Sequence, residues 1–515
     1  MASRIGTLIP ALLAGGLALF VLAPLLAVAG RATGFVLGPA DWAAVRFTAV
    51  QAFLSAAISV GLAVPVARAL ARRSFVGRGA LITLMGAPFL LPTIVAVLGL
   101  VAVFGRAGVI NQSLGLLGIG PFSIYGAHGV VLAHVFLNLP LAVRMLLQGW
   151  QAIPSERFRL AESLGFAPAQ VAGHLELPML RSVAPGAFLV VFVICLTSFA
   201  VALTLGGGPA ATTVELAIFQ AVRFEFNLGR AALLAGVQFA LCAVVAVLGW
   251  LMVTPATFGA GLGRDALLRP PGGWRRRADA VAIGLAAAFL LLPLAAVVLR
   301  GVPGVPDLPQ TVWTAAGRSV LVALASTLVT VAAALALAIA VARGGRGAGA
   351  MDAAAALPLA TSGLVLGVGL FLMVQPFVSP TQLALPVTVA VNAALSLPFV
   401  YRLLLPEARI LRADYGRLAD SLGLNGWARL RWLVLPRLAR PIGFGAGLAA
   451  ALSMGDLGVI ALFATEQGAT LPLVVQRLMG AYRLEAAAGA ALMLVVISFA
   501  LFWAFDSWGR RYAAV

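Results

Sequence analysis

The sequence predicts an all-α polytopic membrane protein with about twelve transmembrane helices in two parallel six-helix repeats. Hydrophobic residues make up 62% of the chain and charged residues only 10%, whereas soluble domains carry about 25% charged residues. Several apolar runs reach the roughly 20 residues that a helix needs to cross a bilayer. A polar segment also occurs twice at a constant spacing. These three observations exclude a soluble protein and indicate two related membrane halves.

The apolar runs form two sets of six on either side of a basic segment, RDALLRPPGGWRRR, at residues 264–277. We interpret the first run as a transmembrane helix rather than a signal peptide, because the next run follows after a short loop. The predicted spans are approximately 7–29, 47–67, 80–104, 127–149, 183–205, 231–254, 279–299, 319–341, 351–374, 384–404, 441–463 and 486–506. The predicted domains are a first repeat at 1–258, a basic linker at 259–278 and a second repeat at 279–515.

The arginines predict the orientation. With the N-terminus in the cytoplasm, most of the 35 basic residues fall in cytoplasmic segments of both halves, as the positive-inside rule requires. The net charge of +18 then reflects arginines near anionic lipid rather than a nucleic-acid partner. An even number of spans places both termini, and both copies of the polar segment, in the cytoplasm.

The repeated segment reads RLAESLGFAPAQVAGHLELP at 159–178 and RLADSLGLNGWARLRWLVLP at 417–436. Each glycine follows a short helical stretch, which predicts a helix cap with positive φ, and each Leu-Pro precedes a span. An interfacial loop resting on lipid is the alternative, but the matched acid and the fixed Gly-to-Pro interval favour two docking elements for a two-fold partner. At an offset of 258, the corresponding positions are Arg159 and Arg417, Ala161 and Ala419, Glu162 and Asp420, Gly165 and Gly423, and Pro178 and Pro436.

Further correspondences link the two halves. At the offset of 258, Asn138-Leu139-Pro140 matches Ser396-Leu397-Pro398, and Thr212 matches Thr470. Further upstream, Thr93 matches Thr361 at an offset of 268. Because each half crosses the membrane an even number of times, the repeats are parallel, and a pathway is expected along the pseudo-two-fold axis between them.

The sequence predicts no catalytic activity for this chain. The sequence shows no nucleophile triad, no phosphate-binding loop and no metal-ligand spacing, so we expect a non-catalytic subunit without a cofactor. Acidic residues lie almost entirely in loops, with Asp456 as the main exception, and a single acid is a poor ion relay. Asp456 either attracts a cationic substrate or caps a helix at Gly455, and these alternatives stay open.

Asp456 aligns with Ser198 in the first half, which makes both residues candidates for the substrate path. Thr212 and Glu215 are further candidates, because they follow Gly206-Gly207-Gly208-Pro209, a sequence that cannot continue a regular helix. This glycine-rich segment is either a structural turn or a flexible gate beside a docking edge for a periplasmic protein.

The repeated segment resembles the cytoplasmic EAA loop of binding-protein-dependent ABC importer permeases. That loop has Glu-Ala-Ala, three residues, Gly, nine residues and Ile-x-Leu-Pro, and both copies keep the spacing from Gly to Pro. The family's Glu falls on Arg159 and Arg417, and the acid lies three positions later, at Glu162 and Asp420. The resemblance therefore implies a type I importer fold and ATPase-coupling loops at about 150–182 and 406–440, but not the family's ion pair with the ATPase.

Residues 195–236, which contain TSFAVALTLGGGP and ATTVELAI, are similar to the thiamine and thiamine pyrophosphate permeases in the fused, double-length branch that also imports ferric iron. The resemblance implies a permease of the bacterial inner membrane that imports thiamine or its phosphates. It also implies two copies of a cytoplasmic ATPase, which bind the ATP, and a periplasmic substrate-binding protein. The alternatives are a ferric-iron permease and, in a different class, an ion-coupled secondary transporter.

Overall fold

The computed structural model describes residues 2–32, 36–86, 91–252, 273–345, 347–465 and 468–513, and all regular structure in these ranges is helical. The helices of the first half are α1 (Ala2–Ala32), α2 (Pro39–Arg72), α3 (Arg78–Leu84), α4 (Thr93–Phe104), α5 (Val109–Leu116), α6 (Ala127–Gln151), α7 (Ser155–Ser163), α8 (Pro168–Val171), α9 (Leu177–Leu196), α10 (Ala200–Leu205), α11 (Val214–Arg223) and α12 (Leu228–Met252). Those of the second half are α13 (Trp274–Gly304), α14 (Gln310–Arg343), α15 (Ala348–Ala356), α16 (Gly363–Val374), α17 (Ala384–Ser421), α18 (Gly426–Arg429), α19 (Leu435–Met454), α20 (Gly458–Phe463), α21 (Leu471–Gly480) and α22 (Leu484–Ala513).

The number of membrane spans agrees with the prediction of about twelve. In the described part of the chain, 11 helical segments are long and apolar enough to cross a membrane, and a bent pair, 348–360 and 363–374, makes up to 12. The span predicted at 351–374 is therefore bent by 96° between these two pieces. A 3-10 turn that contains Pro358 ends the first piece, and the Ser362 hydroxyl accepts the Val365 N–H to start the second.

Helix lengths show the two repeats directly. α1 and α13 have 31 residues each, α2 and α14 have 34, α4 and α16 have 12, and α9 and α19 have 20. α4 and α16 begin 270 residues apart, so the predicted match of Thr93 with Thr361 at 268 is two residues out of register. The reason for this error is that the sequences of two short apolar helices rich in small residues can be aligned in more than one register. The predicted domain boundary at 258 and most of the linker at 259–278 lie outside the described residues.

The first helix of each repeat reaches across to the other repeat. α1 packs against α16 of the second half, and α13 packs against α4 of the first. Glycines allow this close approach: a Cβ on Gly369 would lie 2.4 Å from the Pro24 carbonyl oxygen, and one on Gly99 would lie 2.7 Å from that of Pro293. The two sequence repeats are therefore interlocked rather than packed as separate units.

Replacing Gly369 by Ala is expected to destabilise the protein by about 1–3 kcal/mol, because the added methyl group meets backbone rather than a movable side chain. The measurement is Tm of the detergent-solubilised protein. Gly317→Ala in α14 is the control, since no atom of the described residues lies within 4 Å of its added Cβ. Equal Tm values for the two variants would show that α1 does not approach α16 this closely.

Two ion pairs fix the end of α2. Arg68 Nη2 lies 2.5 Å from Glu176 Oε2, at the end of the first copy of the repeated segment. Arg73 Nε donates to Asp279 Oδ2 at 2.8 Å, near the start of α13. The first copy of the segment and the start of α13 therefore lie at the same end of the bundle.

The second copy lies at this end as well. α13 and α14 are joined by the short connection 305–309, so α14 runs back and ends where α13 begins. The end of α14 lies against the second copy, since Arg343 and Arg429 line one cavity. We call the end of the bundle that carries Gly165 and Gly423 the motif face, and the opposite end the outer face.

Candidate functional site

Gly165 ends α7 with the cap that the sequence predicts. Its φ is +69°, a conformation that favours glycine. The Phe166 N–H donates to the Ala161 carbonyl at 2.9 Å, and the Gly165 N–H donates to the Glu162 carbonyl at 3.0 Å. These two bonds satisfy carbonyl groups that the helix end would leave without partners. The prediction of a positive-φ cap is confirmed.

Gly423 ends α17 in the same way, with φ of +66° and the corresponding bonds from Leu424 to Ala419 at 2.9 Å and from Gly423 to Asp420 at 3.2 Å. The helix before it differs. α17 continues unbroken from the membrane to the cap, whereas in the first repeat α6 ends before Pro154 and α7 starts anew. The short helical stretch predicted before each glycine is therefore a separate helix only in the first copy.

A wider helical turn precedes each repeated proline. The Leu177 N–H donates to the Ala172 carbonyl, and the Leu435 N–H donates to that of Leu430, both five residues back. Pro178 and Pro436 follow directly. A proline ring collides with the carbonyl group four residues back, and the wider turn moves that carbonyl group aside. The helix thus runs through each proline instead of beginning there.

Both copies expose apolar side chains on the motif face. The exposed fractions are 59% for Leu160, 61% for Leu164, 54% for Leu418 and 65% for Leu422. Arg159, Glu162, Arg417 and Asp420 are exposed beside these leucines, whereas Ala161 and Ala419 are buried. Paired leucines exposed at equivalent positions of a polar segment are typical of a surface that a partner protein covers.

The two copies are held by different contacts. The carboxylate of Glu176 is buried and paired with Arg68 in the first copy. The equivalent position in the second copy is Val434, an apolar residue that lines a small cavity with Ile339. The second copy has its own ion pair instead, from Arg429 Nη1 to Asp420 Oδ1 at 2.8 Å. The acid of the repeated motif is therefore engaged within the chain at Asp420.

A cavity of about 330 Å³ lies between the repeats. This volume is within the roughly 300–1,000 Å³ of small-molecule sites. α17 and α19 of the second repeat line it, with α6, α9 and the start of α4 from the first. Lining residues at an offset of 258 are Leu137 and Leu395, Asn138 and Ser396, Leu141 and Phe399, and Ile194 and Leu452. The cavity therefore lies on the pseudo-two-fold axis, where the sequence predicts a pathway.

Buried hydrogen bonds hold the polar lining in place. Asn392 Nδ2 donates to Ser453 Oγ at 3.0 Å, and Ser326 Oγ donates to the same oxygen at 2.9 Å. Asn138 Nδ2 donates to the carbonyl of His134 at 2.8 Å. These bonds connect three helices of the second repeat and fix the lining amide on α6 of the first.

Asp456 lines this cavity at the break between α19 and α20. Its carboxylate lies beside the backbone N–H groups at the start of α20 and beside the Asn392 side chain. Its Oδ2 atom is buried and accepts no hydrogen bond from the described residues. Both alternatives from the sequence are thus geometrically possible, with one oxygen left for a ligand. Ser198 lies at the matching break between α9 and α10 but is not among the lining residues. The predicted spans at 183–205 and 441–463 are therefore each divided into two helices at these breaks.

The other two path candidates lie outside the cavity. Thr212 is partly exposed, and Glu215 is 1% exposed beside Ser362, within the packing of α11 against α16. Burial raises the pKa of Glu215 to about 8, although the Ser362 hydroxyl opposes this shift. In this conformation neither residue is placed to contact a substrate in the cavity.

The structure also corrects the pairing of Thr212 with Thr470. Thr213 is the residue that precedes α11, where its hydroxyl accepts the Leu216 N–H at 3.3 Å, and Thr470 precedes α21. Two further bonds fix the same register, since Val214 N donates to Thr48 Oγ1 at 2.9 Å and Leu471 N to Ser319 Oγ at 2.8 Å. The offset here is therefore 257, one residue less than predicted.

Sequence reasoning did not single out Asn392 or Phe399 as site residues. At the offset of 258, Phe399 matches Leu141, which also lines the cavity, and Asn392 matches His134, which does not, so the repeat pattern alone does not mark them. Among the described residues, no group of three or more His, Cys, Asp and Glu side chains is arranged to hold a metal ion.

Comparison with known proteins gives matches to transport proteins. The family model described as binding-protein-dependent transport system inner membrane component matches residues 330–513. The thiamine transport system permease protein ThiP of Salmonella typhimurium is 38% identical over 493 residues, which cover 92% of this chain and 90% of that protein. ThiP of Brucella abortus is 38% identical over 512 residues, covering 95% and 93%. The molybdenum transport system permease protein ModB of Azotobacter vinelandii is 31% identical over 186 residues, covering 35% of this chain and 81% of that protein.

Proposed function

The chain belongs to the family of thiamine transport system permease proteins within the binding-protein-dependent inner membrane components, and on this premise we propose that it carries thiamine across the membrane. The observation that carries the proposal is the cavity between the repeats, lined by residues at equivalent positions of both halves. A path on the pseudo-two-fold axis can open to either side when the halves rock against each other.

The lining of the cavity suits a cation. Thiamine carries a permanent positive charge on its thiazolium ring, and Asp456 is the acidic residue among the lining residues described. No basic side chain is among these lining residues, which favours the cationic vitamin over its anionic diphosphate. We propose that the free oxygen of Asp456 attracts the thiazolium, while the amides of Asn138 and Asn392 hydrogen-bond the pyrimidine.

We further propose that two copies of a cytoplasmic ATPase drive the cycle. Each copy would bind one of the repeated segments, covering the exposed pairs Leu160 with Leu164 and Leu418 with Leu422. Closure of the ATPases on ATP would then draw the two segments together and switch the path between its inward- and outward-facing states. The switching energy comes from tighter ATPase contacts in one state than in the other. Hydrolysis takes place in the partner, and this chain supplies the path.

The proposed orientation places the motif face in the cytoplasm. The arginines of both repeats concentrate at this end, including Arg68, Arg73, Arg343 and Arg429, as expected for a surface near anionic lipid. Both termini are cytoplasmic in this arrangement. The outer face then receives thiamine from a soluble substrate-binding protein.

Uptake of labelled thiamine into proteoliposomes tests this function. We expect uptake only when the permease, its ATPase, ATP and the thiamine-loaded binding protein are all present, because the single acid among the described lining residues, Asp456, is a poor ion relay. A non-hydrolysable ATP analogue is the control and should allow at most one turnover. Uptake driven by a proton or sodium gradient without ATP would contradict the proposal and favour a secondary transporter.

A further inference from the structure

The outer face carries two strained aromatic residues at equivalent positions. Among the described residues, the non-glycine residues with positive φ are Phe226, at +52°, and Tyr482, at +57°. Phe226 precedes α12 and Tyr482 precedes α22 by two residues each, and both pairs are 256 residues apart. α9 and α19 run away from the motif face, so the connections that follow lie at the opposite end. We call these two residues the aromatic tips.

The fold alone does not account for the aromatic tips. Phe226 is 81% exposed and Tyr482 is 88% exposed, so neither ring contributes much to the core. The Arg483 N–H donates to the Leu478 carbonyl at 2.9 Å, which makes Tyr482 the left-handed residue of a helix cap. Glycine relieves such strain, and the chain uses glycine at the equivalent point of both caps on the motif face. Strain in an exposed aromatic residue therefore points to a function outside the fold.

The charges beside the two tips differ. Near Phe226, Arg230 pairs with Asp41 at 2.7 Å and with Glu225 at 2.5 Å, so these charges are satisfied within the chain.

Near Tyr482, Asp307, Arg483 and Glu485 line a cavity of about 890 Å³ that opens beside the ring. In the described part of the chain, none of these three side chains has an ion-pair partner within 4.0 Å. The charges beside Tyr482 are therefore available to a partner.

We propose that the aromatic tips anchor the soluble substrate-binding protein on the outer face, and that the unpaired charges beside Tyr482 determine which of its lobes docks there. Exposed aromatic rings in matched positions suit a partner that offers an apolar recess over each repeat. Charges of both signs near one tip give such a partner a single orientation and a faster encounter. The inference rests on the proposed function, because it assumes that such a protein delivers the substrate.

The test measures the affinity of the purified, thiamine-loaded binding protein for the full permease in lipid nanodiscs, at low and high salt. Phe226→Ala and Tyr482→Gly are each expected to weaken binding by about tenfold or more. Tyr482→Gly should do so with Tm unchanged or higher, since glycine relieves the strained backbone. Arg483→Glu should weaken binding at low salt and reduce its salt dependence. Trp274→Ala, an exposed aromatic residue at the start of α13 on the motif face, is the matched control and should bind as the wild type does.

The outcomes separate this inference from the proposed function. If the wild type binds and transports thiamine but both tip variants bind within about twofold of it, the role of the tips is wrong and the function stands. If the tip variants lower Tm in nanodiscs and keep their affinity, the rings only anchor the chain at the bilayer interface, which also overturns the inference. If the wild type neither binds the protein nor takes up thiamine, the proposed function fails.

Discussion

Replacing Asp456 by Asn is expected to lower thiamine uptake by about ten- to a hundredfold at equal protein level. The carboxylate lines the cavity between the repeats, and its Oδ2 atom is buried without a hydrogen-bond partner among the described residues. A charged interaction of this kind is worth about 1.5–3 kcal/mol, which corresponds to that range of rates or affinities. Asn keeps the size of the side chain but cannot pair with a cation. Uptake into proteoliposomes, normalised to reconstituted permease, measures the effect.

Two matched variants separate this role from helix capping. Asp456→Glu keeps the charge and should retain more uptake than Asn, whereas Ser198→Ala changes the equivalent break outside the cavity and should transport as the wild type does. If the carboxylate only caps α20, Asp456→Asn will leave both Tm and uptake per folded molecule close to those of the wild type, because asparagine caps a helix about as well as aspartate does. That result would also remove the main argument for a cationic substrate.

Gly165→Val or Gly423→Val is expected to lower ATP-driven uptake by about tenfold or more. A β-branched residue in the left-handed conformation costs roughly 1–3 kcal/mol, so the cap opens and the exposed leucine pair beside it loses its position. ATPase association with the solubilised permease and thiamine uptake should fall together. The damage should remain local, because none of the described residues lies within 4 Å of a Cβ added at either glycine.

The control for this prediction lies in the same segment. Gly173 has a helical backbone and also has open space around it, so Gly173→Ala should leave ATPase binding intact. Reversing the charge of Arg159 or Arg417 tests whether these side chains contribute, and we expect ATP hydrolysis to uncouple from uptake. Normal coupling in both glycine variants would mean that the repeated segments are not the docking sites.

The sequence predicts the features that depend on local chemistry. The caps at Gly165 and Gly423 follow from the backbone freedom of glycine, and the number of spans follows from the length of the apolar runs. The repeated segment was recognisable because its special residues, Gly and Pro, tolerate little change in spacing. The position of both copies at one end of the bundle follows once the spans are counted.

Features that depend on tertiary packing were beyond the sequence. Hydropathy is continuous through the bend at Pro358, so this interruption does not show in the apolar run. At Asp456 the sequence leaves a helix cap as one of two alternatives, and only the packing of α19 and α20 places the break there. The exchange of α1 and α13 between repeats depends on close contacts such as Gly369 with Pro24, which local patterns do not encode. The sequence alone does not decide whether Thr212 or Thr213 corresponds to Thr470. Hydrogen bonds from distant helices identify Thr213 as the equivalent residue.

The most direct test of a thiamine path between the repeats is the protection of a cysteine placed at Ser396 from a membrane-permeable maleimide. The two native cysteines, Cys195 and Cys242, are buried, so background labelling should be low. We expect thiamine, delivered by its binding protein to the ATPase-bound permease, to slow labelling of Ser396→Cys. Labelling of Val76→Cys, an exposed residue in the loop after α2 on the motif face, should not change. Labelling of Ser396→Cys at the same rate with and without thiamine, in a permease that transports it, would contradict the path.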